Sequence, residues 1–472
     1  MKACKKSVWL VIALIGAISA ALVLLDNRRS IMANAYPETR SDDVIGVATR
    51  LVQDKILVGS DGRFSMALDL TAAEIRRPVD RTRQNVDLVV VLDRSGSMAG
   101  QKIDDARQAI IQMLRRLSPE DRLSLVVYDT AIQTLFPLTP MTEAQRRRFA
   151  TLVEQVMPGG GTNLGGGLSA GIDALRQVPS EGRQRKVILI SDGLANHGLT
   201  DPAALGQMAS GAAVQRIAVS TVGVGLDFNE ALMTALADYG AGRYHFLENP
   251  NAFAAVLAHE FETARDVAAA GLELRIPLKH GLQVVDAGGF PIRIDGEAAV
   301  IRPGDLLSAE QRRIFLTLQL PADRPRRYIL DGVTVRYQQA GATRTLVSGQ
   351  SLDVACVADD KAVMASIDRA AWGSRVLQED FGRLKESVAD AVRKGEKQGA
   401  LRLIQEYETR TGAVNGTLQA PEVTQNLATD VRALRKGVEE TFSGAPAAVA
   451  EKQKKNAKAL QYDAYQSRRA KK

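Results

Sequence analysis

Asp93-Arg94-Ser95-Gly96-Ser97, Gly161-Thr162-Asn163 and Ser191-Asp192-Gly193 gather carboxylates, hydroxyls and glycine in three short stretches far apart in the chain. Hydroxyl and carboxylate oxygens, with no thiol and no essential imidazole, suit a hard divalent cation such as magnesium, manganese or calcium. Magnesium holds near-octahedral geometry at about 2.0–2.1 Å and rarely receives a full set of protein ligands, which leaves a position for an outside oxygen. Each stretch alone is also ordinary turn chemistry, since Asp, Ser and Gly cluster in turns for local hydrogen-bonding reasons. Order and context single them out. The first and third follow apolar runs, residues 86–92 and 187–190, that read as buried parallel strands. Loops after such strands open at the edge where doubly wound sheets bind ligands. Gly159, Gly160 and Gly161 let backbone pass close to an ion.

The elements that must hold these loops alternate strand and helix from residue 86 onward, as a parallel sheet requires. Ile103, Ala106, Ile110, Met113, Leu114 and Leu117 share a helical face; residues 123–128 read as a strand with 132–136 as a short edge strand beside it. Helices are predicted over 142–156 and 164–175, and Asp201-Pro202 marks another helix start. Segments 217–222, 230–237, 243–247 and 252–263 complete about six strands with helices on both faces, within residues 84–265. Residues 47–58 and 63–70, split by Gly59-Ser60-Asp61-Gly62, read as a hairpin, and seven short strands follow between 272 and 348. Two N-terminal strands cannot stand alone in water. They are therefore expected to join the later strands in a β-sandwich, with the doubly wound, mostly parallel α/β sheet inserted in it. Residues 363–392, 396–409 and 423–442 read as a small helical C-terminal domain with internally packed apolar positions. The expected division is 1–30 anchor or signal, 31–83 linker and hairpin, 84–265 α/β, 266–357 sandwich, 358–442 helical, and 443–472 linker and basic tail.

Asp93, Ser95, Ser97, Thr162 and Asp192 together resemble the metal-ion-dependent adhesion site of von Willebrand factor type A domains, whose pattern is Asp-x-Ser-x-Ser, a distant Thr and a distant Asp. The resemblance implies that Ser95, Ser97 and Thr162 offer hydroxyl oxygens, that Asp93 and Asp192 bind directly or through water, and that a partner's acidic side chain fills the open position. Residues 191–198, 221–230 and 239–246 are similar to bacterial relatives of inter-alpha-trypsin inhibitor heavy chains and calcium-activated chloride channel regulators. The likeness covers about residues 84–265 well, the β flanks moderately and the helical end poorly. Membership implies metal-dependent protein binding, not a channel.

Composition removes other chemistries. The chain has 472 residues, four histidines and two cysteines, Cys4 and Cys356, too few for a disulfide framework or zinc cluster. His259-Glu260 begins a metalloprotease-like helix motif, but Thr263 stands where the second histidine belongs. His197 and His245 read as packing or loop residues. Residues 451–472 carry eight Lys or Arg against Glu451 and Asp463, which accounts for most of the net charge of +7. The body is nearly neutral, and nucleic acid is not an expected partner. The tail reads as a solvated segment, with anionic lipid or an acidic envelope polymer as the sharper alternative and Tyr462 and Tyr465 as interfacial contacts.

Residues 8–25 form an uncharged apolar run after Lys2, Lys5 and Lys6, long enough at about 1.5 Å per residue to cross a bilayer. This predicts a single-pass cytoplasmic membrane protein with its bulk outside, or a secreted one if cleavage follows Ala33-Asn34-Ala35. Three function classes stand: a non-enzymatic module holding a protein ligand through the ion; an assembly or chaperone-like subunit working with a separate ATPase; and a metal-dependent hydrolase. The chain has no phosphate loop of its own. Hydrolysis is disfavoured because both carboxylates are committed to the ion and no independent base is evident.

Overall fold

A computed structural model describes residues 40–75, 84–179, 182–248 and 252–469. Its centre is the predicted six-stranded sheet. Strand Val86–Asp93 lies between Arg122–Tyr128 and Gln184–Ser191, and Ile217–Val224 and Ala241–Leu247 extend it, all parallel. Ile132–Pro140 closes the far edge antiparallel. Every residue of Val86–Asp93 is buried, because helices cover both faces of the sheet. Helix Gln101–Leu114 puts Ile103, Ala106, Ile110 and Met113 into one core, and helix Leu164–Arg176 puts Leu168, Ile172 and Leu175 into the other.

The α/β unit interrupts a sandwich, as expected. Strand Arg63–Ala72 pairs with Ile45–Leu51 on one side and, across the whole insertion, with Gln311–Gln319 on the other, with Leu68 opposite Ile314. The opposing sheet runs Ile292–Asp295, Ala298–Leu307, Val267–Pro277, Thr334–Gln339 and Ala342–Val347, and Phe64, Leu68, Leu274, Ile301 and Leu316 fill the space between. The first hairpin strand is not continuous. After Leu51 the chain leaves the sheet, and Lys55–Leu57 pairs parallel with Leu352–Val357 in a separate three-stranded sheet. Cys356, in that sheet, is a buried free thiol; Cys4 lies outside the described residues.

The helical end packs on the sandwich, for its core includes Ala67 and Phe315 of the β-strands and Val52 just past one of them, beside Trp372, Phe381 and Tyr407. Two π-helical turns, Val376–Asp380 and Asn426–Asp430, each interrupt a predicted helix. In the first, Glu379 is buried with both carboxylate oxygens lacking a hydrogen-bond partner among the described residues, and its nearest cation, Arg383, stands 3.8 Å away. Burial, reinforced by Asp286, pushes this carboxyl up to about 7. A group raised in the folded state contributes its full stability below its ordinary 4.5 and loses it as pH climbs through 7. Glu379→Gln should therefore be more stable than the parent at pH 8 by about 2 kcal/mol. The advantage should nearly vanish at pH 5; parallel melting curves across that range would refute the assignment.

Two expectations are corrected. Residues 446–468 are not a solvated tail but a 23-residue helix, Pro446–Arg468, laid across the other domains. Its cations find carboxylates there: Lys454 pairs with Asp227 at 3.0 Å, Lys455 with Glu248 at 2.6 Å, and Arg468 with Glu386 at 2.7 Å. Tyr462 and Tyr465 stack edge-on against Tyr244, with centroids 5.8 and 5.5 Å away, rather than facing a lipid. Single-pass membrane placement is also overturned: among the described residues no helix is long and apolar enough to cross a membrane. Residues 8–25 and 33–35, on which that expectation rested, lie outside the described residues.

Candidate functional site

The three polar loops meet at one end of the parallel sheet, each fixed by backbone contacts to its neighbours. Gly96 N donates to Gly160 O at 3.2 Å, and Gly159 N to Arg94 O at 2.7 Å, which ties the first loop to the second. Asn196 N and His197 N both donate to Thr162 O, and Asn196 Oδ1 accepts from Thr162 N at 2.9 Å, which ties the second to the third. Gly160 has φ +71°, a conformation open to glycine, and a Cβ there would press on Asp129 and Thr130 at 3.1 Å. Asn163 then caps helix Leu164–Arg176 by accepting from Gly166 N at 3.0 Å.

All five predicted side chains come together. Ser95 Oγ lies 3.1 Å from Ser97 Oγ, and Ser97 Oγ donates to Asp192 Oδ1 at 2.7 Å. Thr162 closes the group: its Oγ1 and Ser97 Oγ each stand 3.4 Å from the point a Cβ on Gly193 would occupy. Asp93, Ser95, Thr162 and Asp192 are buried, and Ser97 alone is exposed, at the mouth. Asp93 is further bound by Ser95 N at 2.8 Å and by Ser191 Oγ at 2.7 Å. Burial raises the Asp93 carboxyl above its usual range against these donors, with Asp192 adding to the rise. Tyr128, wholly buried beneath, is raised too, by burial and then by the Asp93 charge.

Three participants were given no role in the sequence reading. Ser191 orients Asp93, and Asn196 clamps Thr162. Lys102, in the first turn of helix Gln101–Leu114, sets its ammonium against Asp192 Oδ2 and donates to Ser97 O at 3.2 Å. Its spacing after Ser97 was the available signal, but a lysine in a first helical turn reads as solvated surface. The two histidines behave as expected of packing or loop residues. His245 is buried with Nε2 2.8 Å from Glu260 Oε1, and His197 is exposed. Among the described residues no cluster of three or more His, Cys, Asp or Glu could hold a metal, and the site described here relies on hydroxyls beside its two carboxylates.

The donor set fits a hard cation. It offers three hydroxyls and two carboxylates in a buried cup with one exposed member, and a positive group from the protein itself rests on one of the carboxylates.

The chain's relatives share this domain. An uncharacterized protein of Synechocystis is 26% identical over 274 residues, covering 56% of this chain and 64% of that protein. Human inter-alpha-trypsin inhibitor heavy chain H4 is 31% identical over 170 residues, 34% of this chain and 18% of its own length. The chain thus spans less than two thirds of either relative. Among solved structures, a von Willebrand factor type A protein from Catenulispora acidiphila superposes with a TM-score of 0.68 over 90% of this chain and 98% of its own, at 16% identity, a likeness of fold alone. The family model for the von Willebrand factor type A domain matches residues 87–259, so the sheet and loops described above constitute a von Willebrand factor type A domain.

Proposed function

We propose that Asp93, Ser95, Ser97, Thr162 and Asp192 hold a divalent cation, magnesium foremost, and that the cation receives an acidic side chain of a protein partner. The observation that carries this reading is the meeting of five oxygen-bearing side chains from three remote loops in one cup whose single exposed member is Ser97. Type A domains are generally non-enzymatic modules of protein–protein contact and commonly take a divalent metal. When bound, the ion supplies Lewis acidity toward a carboxylate; the neutral hydroxyls leave that acidity largely intact, and the loops supply selectivity.

The rim supports a protein rather than a small acid as the ligand. Leu194 and Leu199, which follow Asp192, Met157, which precedes the glycine run, and Ile132 on the edge strand are large apolar side chains left exposed on segments that carry or adjoin these loops. Exposed apolar groups on segments next to a polar centre favour contact with a protein surface.

Ser97→Ala removes one neutral donor at the mouth without touching the core. It should weaken magnesium binding about tenfold, or about 1.4 kcal/mol, measured by calorimetry, and leave the melting temperature unchanged without metal. Capture of a partner from extract should depend on magnesium and fall in the same variant. Capture that survives both chelation and Ser97→Ala would reject the metal-bridged mechanism.

A further inference from the structure

Strand Ala241–Leu247, the sandwich strands Ala298–Leu307 and Gln311–Gln319, and helix Pro446–Arg468 leave between them a cavity of about 470 Å³. That is a volume suited to a small molecule. None of its lining residues belongs to the three metal loops.

The lining is strongly one-signed. It carries six Lys or Arg side chains and one carboxylate, Asp305, whose Oδ1 is taken by Gly271 N at 2.7 Å. The balancing carboxylates stand behind the wall. Lys186 is met by Glu260 at 3.0 Å, Arg312 by Glu310 at 2.7 Å, Arg313 by Asp69 at 2.5 Å, Arg468 by Glu386 at 2.7 Å and Arg469 by Asp238 at 2.5 Å. Arg243 is the exception. Its nearest carboxylate oxygen, Glu260 Oε1, is 3.8 Å away and already bound to His245, while Oε2 serves Lys186 and Ser220. Arg243 Nη1 and Arg468 Nε are both buried without an acceptor among the described residues. Buried charged donors normally have acceptors, and two lacking them at one cavity mark a place for an incoming oxygen.

The local backbone is built to present Arg243. The pairing register of the edge strand shifts between Ala241 and Tyr244, Ala241 adopts φ +53°, and a Cβ on Gly242 would fall 2.1 Å from Val219 O. A bulge of this kind re-aims one side chain, here Arg243, out of the ladder and into the cavity. The lining also carries aromatic rings: Tyr462, Tyr465, and Phe290 with Arg469 lying 3.3 Å above its ring.

We propose that this cavity binds a small organic oxyanion, a phosphate or carboxylate carried on a planar ring, with its charge at Arg243 and Arg468 and its ring against Tyr462 and Tyr465. Calorimetric titration of the full, metal-free chain with phenyl phosphate should give saturable one-to-one binding. Inorganic phosphate or phenol alone should bind at least tenfold more weakly, and benzoate separates carboxylate from phosphate preference. Arg243→Gln should weaken phenyl phosphate at least tenfold. Hydrogen exchange on the unaltered chain gives a readout that does not depend on the variant's folding: saturating phenyl phosphate should slow exchange in residues 241–247 and 458–468 and leave 93–97 unchanged. The proposal is overturned by absence of saturation with both ring compounds, by undiminished affinity in a folded Arg243→Gln chain, or by protection confined to other segments.

Discussion

Lys102→Met should bind magnesium ten- to a hundredfold more tightly than the parent chain, a gain of roughly 1.4–2.7 kcal/mol. In the structure the Lys102 ammonium rests on Asp192, a carboxylate the proposed ion also needs, and on the Ser97 carbonyl. A unit charge about 4 Å from an entering cation opposes it by several kcal/mol at the effective dielectric of a protein surface. The side chain is 28% exposed and can swing into solvent, so the net penalty is smaller, mainly the lost ion pair. Methionine keeps the length and apolar stem while removing the charge. Calorimetry on Lys102→Met, Ser97→Ala and the parent separates two failures. Equal affinity in Lys102→Met and parent removes the lysine as a competitor, whereas absence of uptake in all three removes the metal site itself.

Glu260→Gln should lower stability by about 3–5 kcal/mol at pH 7.5, the usual cost of stripping one partner from a buried ion pair. Glu260 is fully buried and receives Lys186 at 3.0 Å, His245 at 2.8 Å and Ser220 at 2.5 Å, joining three strands of the α/β sheet to helix Phe253–Arg265. Burial alone drives this carboxyl upward, but Lys186, His245 and Arg243 outweigh it and hold it well below the usual carboxylate range. For a group lowered in the folded state, the stabilisation is present above its ordinary 4.5 and fades as pH falls through the folded value. The variant's melting temperature should therefore trail the parent's by roughly 10 °C at pH 7.5 and approach it with acidification. The gap should persist to about pH 4.5 and close only below it; a gap that stays constant well below 4.5, down to acid unfolding, would mean the charge contributes nothing.

The α/β architecture was legible because its strands are short apolar runs with polar loops between them, and burial on both sheet faces demands just that pattern. The five oxygen-bearing residues were legible for a related reason: Asp93 and Asp192 sit immediately at or after strand ends, where parallel topology collects loops. Lys102 was hidden because its partner lies 90 residues away and nothing local distinguishes it from a solvated helix position. The C-terminal helix misled more thoroughly. Its lysines and arginines look like a charged tail because Asp227, Glu248, Asp238 and Glu386, which neutralise them, come from other domains. The passage of Lys55–Leu57 into a different sheet was likewise set by a strand about 300 residues later. In each case the missing information was a tertiary partner, not a local propensity.

The pairing of Arg63–Ala72 with Gln311–Gln319 has a consequence for biogenesis. A ribosome making this chain delivers the first of these strands long before its second neighbour exists, and an entire domain is synthesised in the interval. Through that time the nascent strand offers a bare ladder of amide groups on a hydrophobic ribbon, the kind of template that recruits unrelated chains. Slowed translation between the two strands should therefore lower the yield of folded protein more than slowing after them.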